Sequence, residues 1–298
     1  MLINLLRPDH LRTTKTRVGP DAVVIGAYKS GTTSLSRLLQ RHPGLYLPNK
    51  KEINTLSRPN NVRNEARYFH HFARKKDRKA VEISPKYLGS SVAAAELARL
   101  LPSILIIAIL RNPVERAYSD WLMHTLDGRE KLKFSRALAA QTQRHAANLR
   151  TGHYIQTGLY ARQLQYFFDV FDKSQLKIIL FEEFQANPYL VLDDITNWIG
   201  ATGQVEWGQQ LKFNQSGLPA SRLVAIVAQL RARTPSPLKW LVPTMIQDSL
   251  NNRFSSHLKE RRISNEDYNN ALPYFLTDIL YLERLLGRDL SEWKARRT

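Results

Sequence analysis

The chain has 298 residues, 43% of them hydrophobic, which is enough to bury the core of one large domain. Its formal net charge of +18 favours anionic partners, whereas the absence of cysteine excludes disulfides, thiolate zinc sites and cysteine nucleophiles. Nucleic-acid binding is not expected, because no RNA-binding, zinc-finger or basic-zipper motif accompanies the charge.

The first 20 residues form a basic segment without the apolar stretch of a signal peptide, and no run in the chain approaches about 18 apolar residues. We therefore expect a cytoplasmic protein, whose charge leaves room for peripheral contact with an anionic membrane. Residues 21–298 are expected to form a single domain, with an α/β core over about 21–200 and a region of helices and loops over about 201–298.

Short apolar runs alternate with helical patterns along the first 200 residues. Strands are predicted at 22–26, 45–47, 80–83, 104–110 and 176–181, and helices after residue 32 and at about 64–73, 91–101, 158–171 and 188–199. The run at 104–110 has no polar alternation, which indicates a strand covered on both faces. Together the elements predict an α/β fold of three layers, with a central parallel sheet flanked by helices and a mainly helical C-terminal extension.

A polar loop joins the first strand to the first helix. It consists of Lys29, Ser30, Gly31, Thr32, Thr33 and Ser34. Backbone N–H groups, the helix dipole and the Lys29 ammonium would converge there on one anion. The loop therefore predicts a phosphate or sulfate site in a P-loop-like fold.

The loop differs from that of a nucleotide-hydrolysing enzyme. Gly26 and Gly31 have the spacing of a P-loop, but Thr32 stands where its lysine belongs. The lysine of this chain, Lys29, lies inside the loop instead.

The strand at 104–110 ends in Arg111, where a nucleotide-hydrolysing enzyme carries a magnesium-binding aspartate. An arginine would repel the metal and pair with a phosphate, so no metal is predicted. Glu182 and Glu183 follow another strand and keep a P-loop kinase or ATPase as an alternative.

Residues 111–119 form a second informative segment. Asn112 and Pro113 are typical of a helix start. About two helical turns then separate Arg111 from Ser119, so a guanidinium and a hydroxyl can hold one phosphate together. Taken alone, the pair is better interpreted as a surface arginine and a helical serine.

These two segments together resemble the 5′-phosphosulfate loop and the 3′-phosphate motif of sulfotransferases that use 3′-phosphoadenosine 5′-phosphosulfate (PAPS). Within that family, the chain is most similar to bacterial and heparan-type carbohydrate sulfotransferases. Further similar segments lie at 48–52, 82–87, 158–167, 180–184 and 287–293. The resemblance implies PAPS as sulfuryl donor, no metal, and a hydroxyl or amine acceptor, which we expect to be a carbohydrate or glycolipid.

The resemblance implies Glu52, at the end of a lysine-rich segment, as the general base. Glu52 follows the second predicted strand and is expected at the carboxyl edge of the sheet, where open α/β sheets bind ligands. Heparan-type members often have a catalytic lysine where this chain has Ile83. Lys86, three positions later, is the candidate replacement.

Three further assignments rest on the resemblance or on residue type. Tyr160 is implied to orient the nucleotide or the substrate, with buried aromatic packing as the alternative. Segment 213–218 resembles the loop that closes over the nucleotide, with Arg222 as a weak candidate for its cation. His124 is a second candidate catalytic base because imidazole titrates near neutral pH, and His70 and His71 are further candidates. A structural or surface role is the favoured alternative for all three.

We expect in-line transfer, in which Glu52 takes the acceptor proton while Lys29 and the loop N–H groups stabilise charge on the leaving phosphate oxygen. Two other classes stay open: a P-loop kinase or ATPase, and a non-enzymatic basic binder of polyanions.

Overall fold

A computed structural model describes residues 18–58, 62–141, 143, 152–207, 217–219, 258–260 and 262–296. Its centre is a five-stranded sheet in which all neighbouring strands are parallel. The strands are β1 (Ala22–Gly26), β2 (Leu45–Tyr46), β3 (Lys79–Ile83), β4 (Leu105–Leu110) and β5 (Leu176–Leu180), in the order β2-β3-β1-β4-β5. A separate antiparallel pair joins β6 (Gly217–Pro219) to β7 (Leu258–Glu260).

The middle strands β1 and β4 are buried on both faces. Every residue of β1 is buried, and only Leu105 of β4 is partly exposed. Successive β4 residues belong to two hydrophobic clusters, with Ile106 in one and Ile107 in the other. An apolar strand between two helical layers is typical of a parallel sheet, so the predicted three-layer, P-loop-like α/β fold is confirmed.

Helices cover both faces of the sheet. Their bounds are α1 (Thr32–Leu39), α2 (Val62–His70), α3 (Ser91–Leu100), α4 (Pro113–Leu126), α5 (Phe134–Ala139), α6 (Tyr160–Phe168), α7 (Phe181–Ala186), α8 (Pro188–Ile199), α9 (Asn265–Ala271), α10 (Pro273–Leu286) and α11 (Ser291–Lys294). Helices α1 and α8 pack on one face, whereas α3, α4, α6 and α10 pack on the other. No described helix is long and apolar enough to span a membrane.

Helix α4 begins as the sequence predicts. The Asn112 side chain accepts hydrogen bonds from the N–H groups of Val114 (3.0 Å) and Glu115 (3.3 Å), and Pro113 occupies the first turn. A capping asparagine followed by proline satisfies backbone donors that a helix N-terminus otherwise leaves unpaired. This cap fixes the direction in which the helix leaves β4.

Two short helices, α5 and α7, were not predicted. Helix α7 replaces the end of the strand expected at 176–181, because the Glu183 carboxylate accepts the Leu180 N–H (3.0 Å) and caps the new helix. Glu182 and Glu183 therefore lie in the first turn of a helix and not at a strand end. Arg222 and most of segment 213–218 lie outside the described residues.

Candidate active site

Three segments meet at the carboxyl edge of the sheet. The phosphate loop leaves β1 there, Arg111 follows β4, and the Glu52 N–H donates to the Ile83 carbonyl at the end of β3 (3.0 Å). Open parallel sheets bind ligands at this edge because loops and helix N-termini gather there. The structure thus brings together the three segments singled out in the sequence.

Glycine and close packing determine the backbone of the phosphate loop. Gly31 has φ 84° and precedes α1, and a Cβ atom at this position would come within 2.7 Å of the Phe181 ring. The first N–H groups of α1 have no partner inside the helix, so they can donate to an anion. Among the other loop residues, Ser30 and Thr32 are buried, and Thr33 and Ser34 are partly exposed.

Lys29 extends from this loop towards helix α4. Its Nζ contacts the Met123 Sδ at 3.8 Å. Burial lowers the pKa of Lys29; the charge of Asp120 opposes this shift, and those of Arg111 and Arg116 add to it. Because sulfur is a weak acceptor, the ammonium keeps hydrogen-bonding capacity for an anion.

Arg111 lies at the end of β4 with part of its guanidinium engaged. One nitrogen donates to the Glu115 carboxylate (3.1 Å), and the guanidinium carbon lies 5.1 Å from the centre of the Phe181 ring. Ser119 is buried on α4, one turn beyond Glu115. One carboxylate leaves the five-donor guanidinium with N–H groups for a phosphate.

Tyr160 supports the strand end that carries Arg111. Its hydroxyl donates to the Arg111 carbonyl oxygen (2.9 Å), and burial raises the pKa of Tyr160 to about 12. The buried Ser30 hydroxyl lies close to this phenol without a hydrogen bond of good geometry. A direct contact between Tyr160 and a nucleotide stays a prediction.

The segment that carries Glu52 has an unusual backbone. Glu52 and Asn54 have left-handed φ angles of 57° and 51°. Non-glycine residues rarely adopt this conformation, so surrounding contacts must hold it. The Glu52 N–H donates to the Ile83 carbonyl (3.0 Å), and the Asn54 N–H donates to the Ser84 Oγ (3.3 Å). Strand β3 therefore sets the position of the segment.

A hydrogen bond and a charge interaction connect this segment to the phosphate loop. Lys51 Nζ donates to the Thr33 Oγ1 at 2.7 Å. Burial raises the pKa of Tyr28 to about 12, and the negative charges of Asp120 and Glu52 add to this shift. The Lys51 hydrogen bond to Thr33 places the segment that carries Glu52 beside the loop.

A buried carboxyl group, which the sequence analysis missed, supports the Glu52 segment. Glu82 on β3 is 1% exposed and accepts hydrogen bonds from the Tyr68 hydroxyl and the Ser84 hydroxyl, both at 2.7 Å. Burial raises the pKa of Glu82, and these hydrogen bonds oppose the shift. The sequence signal that could have revealed Glu82 is an acid inside an apolar strand. A buried acid needs polar partners, so such a position predicts a hydrogen-bonded carboxyl group.

A cleft of about 300 Å³ opens beside the phosphate loop. Its wall contains Tyr28 from the loop, Asp120 and His124 from α4, and Lys86 from the segment after β3. The remaining lining residues are Ala27, Pro85, Leu88, Gly89, Arg129, Gly152, His153, Thr157 and Gln163. The cleft thus combines charges of both signs with an aromatic ring.

His124 belongs to a hydrogen-bonded chain along the cleft wall. Its Nδ1 lies 3.2 Å from the Tyr154 hydroxyl oxygen, and that hydroxyl donates to Glu130 Oε2 (3.0 Å). A proton on Nδ1 would satisfy the Tyr154 oxygen, and Nε2 lies 4.0 Å from Asp120 Oδ1. Burial lowers the pKa of His124, which favours the neutral ring, and the charge of Asp120 opposes the shift.

Arg116 lies beneath this chain and is fully buried. Its guanidinium donates to the Asp120 carboxylate (3.4 Å) and to the Tyr154 carbonyl oxygen. A buried guanidinium with a carboxylate and a carbonyl as acceptors is part of the scaffold. Arg116 thus joins the helix that carries His124 to the segment that carries Tyr154.

The two acids that supported a kinase or ATPase have structural partners. Glu182 accepts the Asn112 N–H (3.1 Å), and burial raises its pKa. Glu183 accepts the Leu180 N–H and pairs with Arg288. In the part of the chain that the structure describes, no three His, Asp or Glu side chains are grouped as metal ligands.

The names of the curated relatives include sulfotransferase activity. The chain is 27% identical over 209 residues to the bifunctional heparan sulfate N-deacetylase/N-sulfotransferase 2 of Homo sapiens. It is 29% identical over 215 residues to bifunctional heparan sulfate N-deacetylase/N-sulfotransferase 4 of Mus musculus. Both alignments cover 65% of this chain but only 23% and 24% of the relatives, so the chain spans about a quarter of their length.

A solved structure extends the similarity to almost the whole chain. The crystal structure of a sulfotransferase from Alicyclobacillus acidocaldarius superposes with a TM-score of 0.68 at 26% identity, covering 93% of this chain and 99% of that one. The family model described as sulfotransferase domain matches residues 19–217, well over half of the chain. The chain therefore belongs to the sulfotransferase domain family, as its two phosphate motifs predicted.

Proposed function

We propose that this chain transfers a sulfuryl group from PAPS to a hydroxyl or amine of a carbohydrate or glycolipid. Family membership supports sulfuryl transfer, and the names of the heparan sulfate relatives support a sugar as acceptor. Because the chain spans about a quarter of those relatives, the deacetylase activity in their names is not carried over.

One observation carries the proposal: both candidate anion sites contact one aromatic ring. The Phe181 ring packs against Gly31 of the phosphate loop and lies beneath the Arg111 guanidinium. PAPS has phosphate groups on its 5′ and 3′ positions, so it needs two anion sites at a fixed separation. Lys29 and the loop N–H groups suit the 5′-phosphosulfate, and Arg111 with Ser119 suits the 3′-phosphate.

Glu52 is the base in the proposed reaction. It takes the proton of the acceptor hydroxyl or amine while the acceptor oxygen or nitrogen bonds to sulfur. The bond between sulfur and the 5′-phosphate oxygen breaks, and its electron pair stays on that oxygen, where Lys29 and the loop N–H groups stabilise the charge. The products are the sulfated acceptor, 3′,5′-ADP and protonated Glu52.

The cleft beside the phosphate loop is the proposed acceptor site. Tyr28 lies in its wall, and the charge of Glu52 adds to the raised pKa of Tyr28, which supports an acceptor bound on the Glu52 side of the cleft. Asp120, Lys86 and His124 offer hydrogen-bond donors and acceptors, which suit a molecule with many hydroxyl groups. In the tautomer with its proton on Nδ1, His124 can accept a hydrogen bond or a proton from such an acceptor at Nε2.

Calorimetry tests the nucleotide specificity. We expect 3′,5′-ADP to bind without magnesium and at least about tenfold more tightly than 5′-AMP, because only the former engages the Arg111 site. Magnesium-dependent binding of ATP in preference to 3′,5′-ADP would indicate a kinase or ATPase. Binding of polyanions with steep salt dependence and no nucleotide preference would indicate a non-enzymatic binder.

Mass spectrometry tests the transfer itself. The chain would be incubated with PAPS and a panel of neutral, anionic and amino sugars, and products would be searched for the added mass of one SO₃ group. We expect the gain on at least one sugar and none when PAPS is omitted. Transfer confined to acceptors that are not carbohydrates would contradict the sugar assignment while preserving the sulfotransferase activity.

A further inference from the structure

Lys51 reaches the phosphate loop from outside it. Its Nζ donates to the Thr33 Oγ1 at 2.7 Å, and the side chain is half-buried. The neighbouring Lys50 is exposed, and neither a hydrogen bond nor an ion pair is seen for it among the described residues. Two adjacent lysines therefore differ sharply in their relation to the loop.

The partner of Lys51 matters because of its place in the helix. Thr33 is the second residue of α1, among the N-terminal N–H groups that have no partner inside the helix. An ammonium that donates to the Thr33 oxygen leaves the threonine hydroxyl hydrogen directed elsewhere, so the pair presents an N–H and an O–H donor together. Both donors would face an anion bound at this helix terminus.

Strand β3 contributes no cation at this place. Ile83 at the end of β3 is buried, and it lines a small pocket together with Lys50 and Lys51. Lys86, the candidate replacement from the sequence, lines the proposed acceptor cleft. Of these three lysines, Lys51 is the one whose ammonium is seen to donate to the phosphate loop among the described contacts.

We propose that Lys51 is a donor-binding residue, whose ammonium binds the 5′-phosphosulfate group jointly with Thr33. This inference rests on the proposed function. Burial lowers the pKa of Lys51, and the charge of Glu52 opposes the shift. A partly desolvated ammonium gains more from an anionic ligand than an exposed one does, because solvent screens its charge less. Since Glu52 follows directly in the chain, Lys51 connects the proposed base to the donor.

Binding measurements with two nucleotides test the proposal without any acceptor. Lys51→Met keeps the side-chain length and removes the charge, and Lys50→Met is the matched control. We expect Lys51→Met to weaken 3′,5′-ADP binding by about ten- to hundredfold. Lys50→Met should change it by less than about threefold. Adenosine 3′-phosphate, which lacks the 5′ group, should bind both variants and the unmodified chain alike.

Lys51→Arg should keep most of the affinity, because it retains a cation within reach of Thr33, and circular dichroism would show whether each variant is folded. Equal effects of Lys50→Met and Lys51→Met on 3′,5′-ADP would overturn the role of Lys51. A similar loss of adenosine 3′-phosphate binding in Lys51→Met would also overturn it, by showing a general effect of charge. Failure of the unmodified chain to bind 3′,5′-ADP would overturn the proposed function as well.

Discussion

The surroundings of the phosphate loop and the scaffold beneath the neighbouring cleft both contain buried or half-buried cations, but the partners of these cations differ. Arg116, beneath the cleft wall, is fully buried and donates to a carboxylate and a backbone carbonyl. Lys29 and Lys51 near the loop contact a thioether and a hydroxyl, respectively. Strong acceptors make Arg116 part of the scaffold, whereas weak or neutral acceptors leave the two lysines able to bind an anion.

The largest effect should come from the proposed base. Glu52→Gln keeps the shape of the side chain and removes its ability to take a proton, so turnover should fall by about 10²- to 10⁴-fold. Binding of 3′,5′-ADP should stay within about threefold of the unmodified chain, since the proposed donor contacts lie elsewhere. Glu292→Gln, at an exposed acid of α11, controls for a change in net charge. Turnover above a tenth of normal in Glu52→Gln would remove Glu52 from this role.

The second anion site should give the next largest effect. Arg111→Ala should weaken 3′,5′-ADP binding by about ten- to hundredfold, because it removes charge-assisted hydrogen bonds to the 3′-phosphate. Binding of 5′-AMP, which has no 3′-phosphate, should hardly change. Calorimetry with the two nucleotides measures the difference, and equal losses for both would show that Arg111 acts on the fold of the site.

His124 should contribute less than Glu52 to turnover. His124→Gln keeps a hydrogen-bonding side chain and removes the imidazole, so we expect a loss of about tenfold from weaker acceptor contacts. Donor binding should be unchanged, because the cleft and not the phosphate loop is altered. A loss greater than about a hundredfold, with Glu52→Gln still active, would transfer the base role to His124.

The lowered pKa of His124 also predicts a small dependence of stability on pH. As the pH falls below about 6.5, the imidazole of the unfolded chain takes up a proton before that of the folded protein does. The free energy of unfolding therefore decreases until the pH passes the lower pKa of the folded state. Denaturant unfolding of the unmodified chain and of His124→Gln, between pH 7.5 and 5, should show a weaker decline in the variant. His42 and His71, whose pKa values burial also lowers, remain in both proteins. Identical declines would contradict the prediction.

The smallest effect should come from a surface ion pair far from the edge that carries the site. Lys177 Nζ contacts both oxygens of Asp194 at 2.8 and 2.7 Å, but Asp194 is 61% exposed. Asp194→Asn should change the free energy of unfolding by less than about 1 kcal/mol, because solvent screens such pairs. Chemical denaturation measures this, and a larger loss would mean that burial is a poor guide to which pairs support the scaffold.

The sheet and most flanking helices were predictable because their signals are local and long. The apolar run at 104–110 became β4 with a one-residue difference in its start, and the helix expected at 188–199 became α8 with the same bounds. Helix α7 was not predictable from periodicity, because the Glu183 side chain caps it within an apolar-looking stretch.

The candidate site was only partly predictable. The phosphate loop and Arg111 are recognised from contiguous motifs. The residues whose hydrogen bonds position the Glu52 segment come from separate elements of the fold. Glu82 meets Tyr68 only because β3 packs beside α2, and Lys51 meets Thr33 only after the chain folds back from β2. Contacts of this kind depend on tertiary packing, which residue spacing does not specify.

The contact of Phe181 with both Gly31 and Arg111 has a consequence for how this site can change by mutation. A methyl group at position 31 would collide with the Phe181 ring, and that ring lies beneath the Arg111 guanidinium. A substitution that moves the ring is therefore expected to displace both candidate anion sites at once. Neither candidate site can then change alone, and the spacing that would match the two phosphates of the proposed donor is inherited as a single unit.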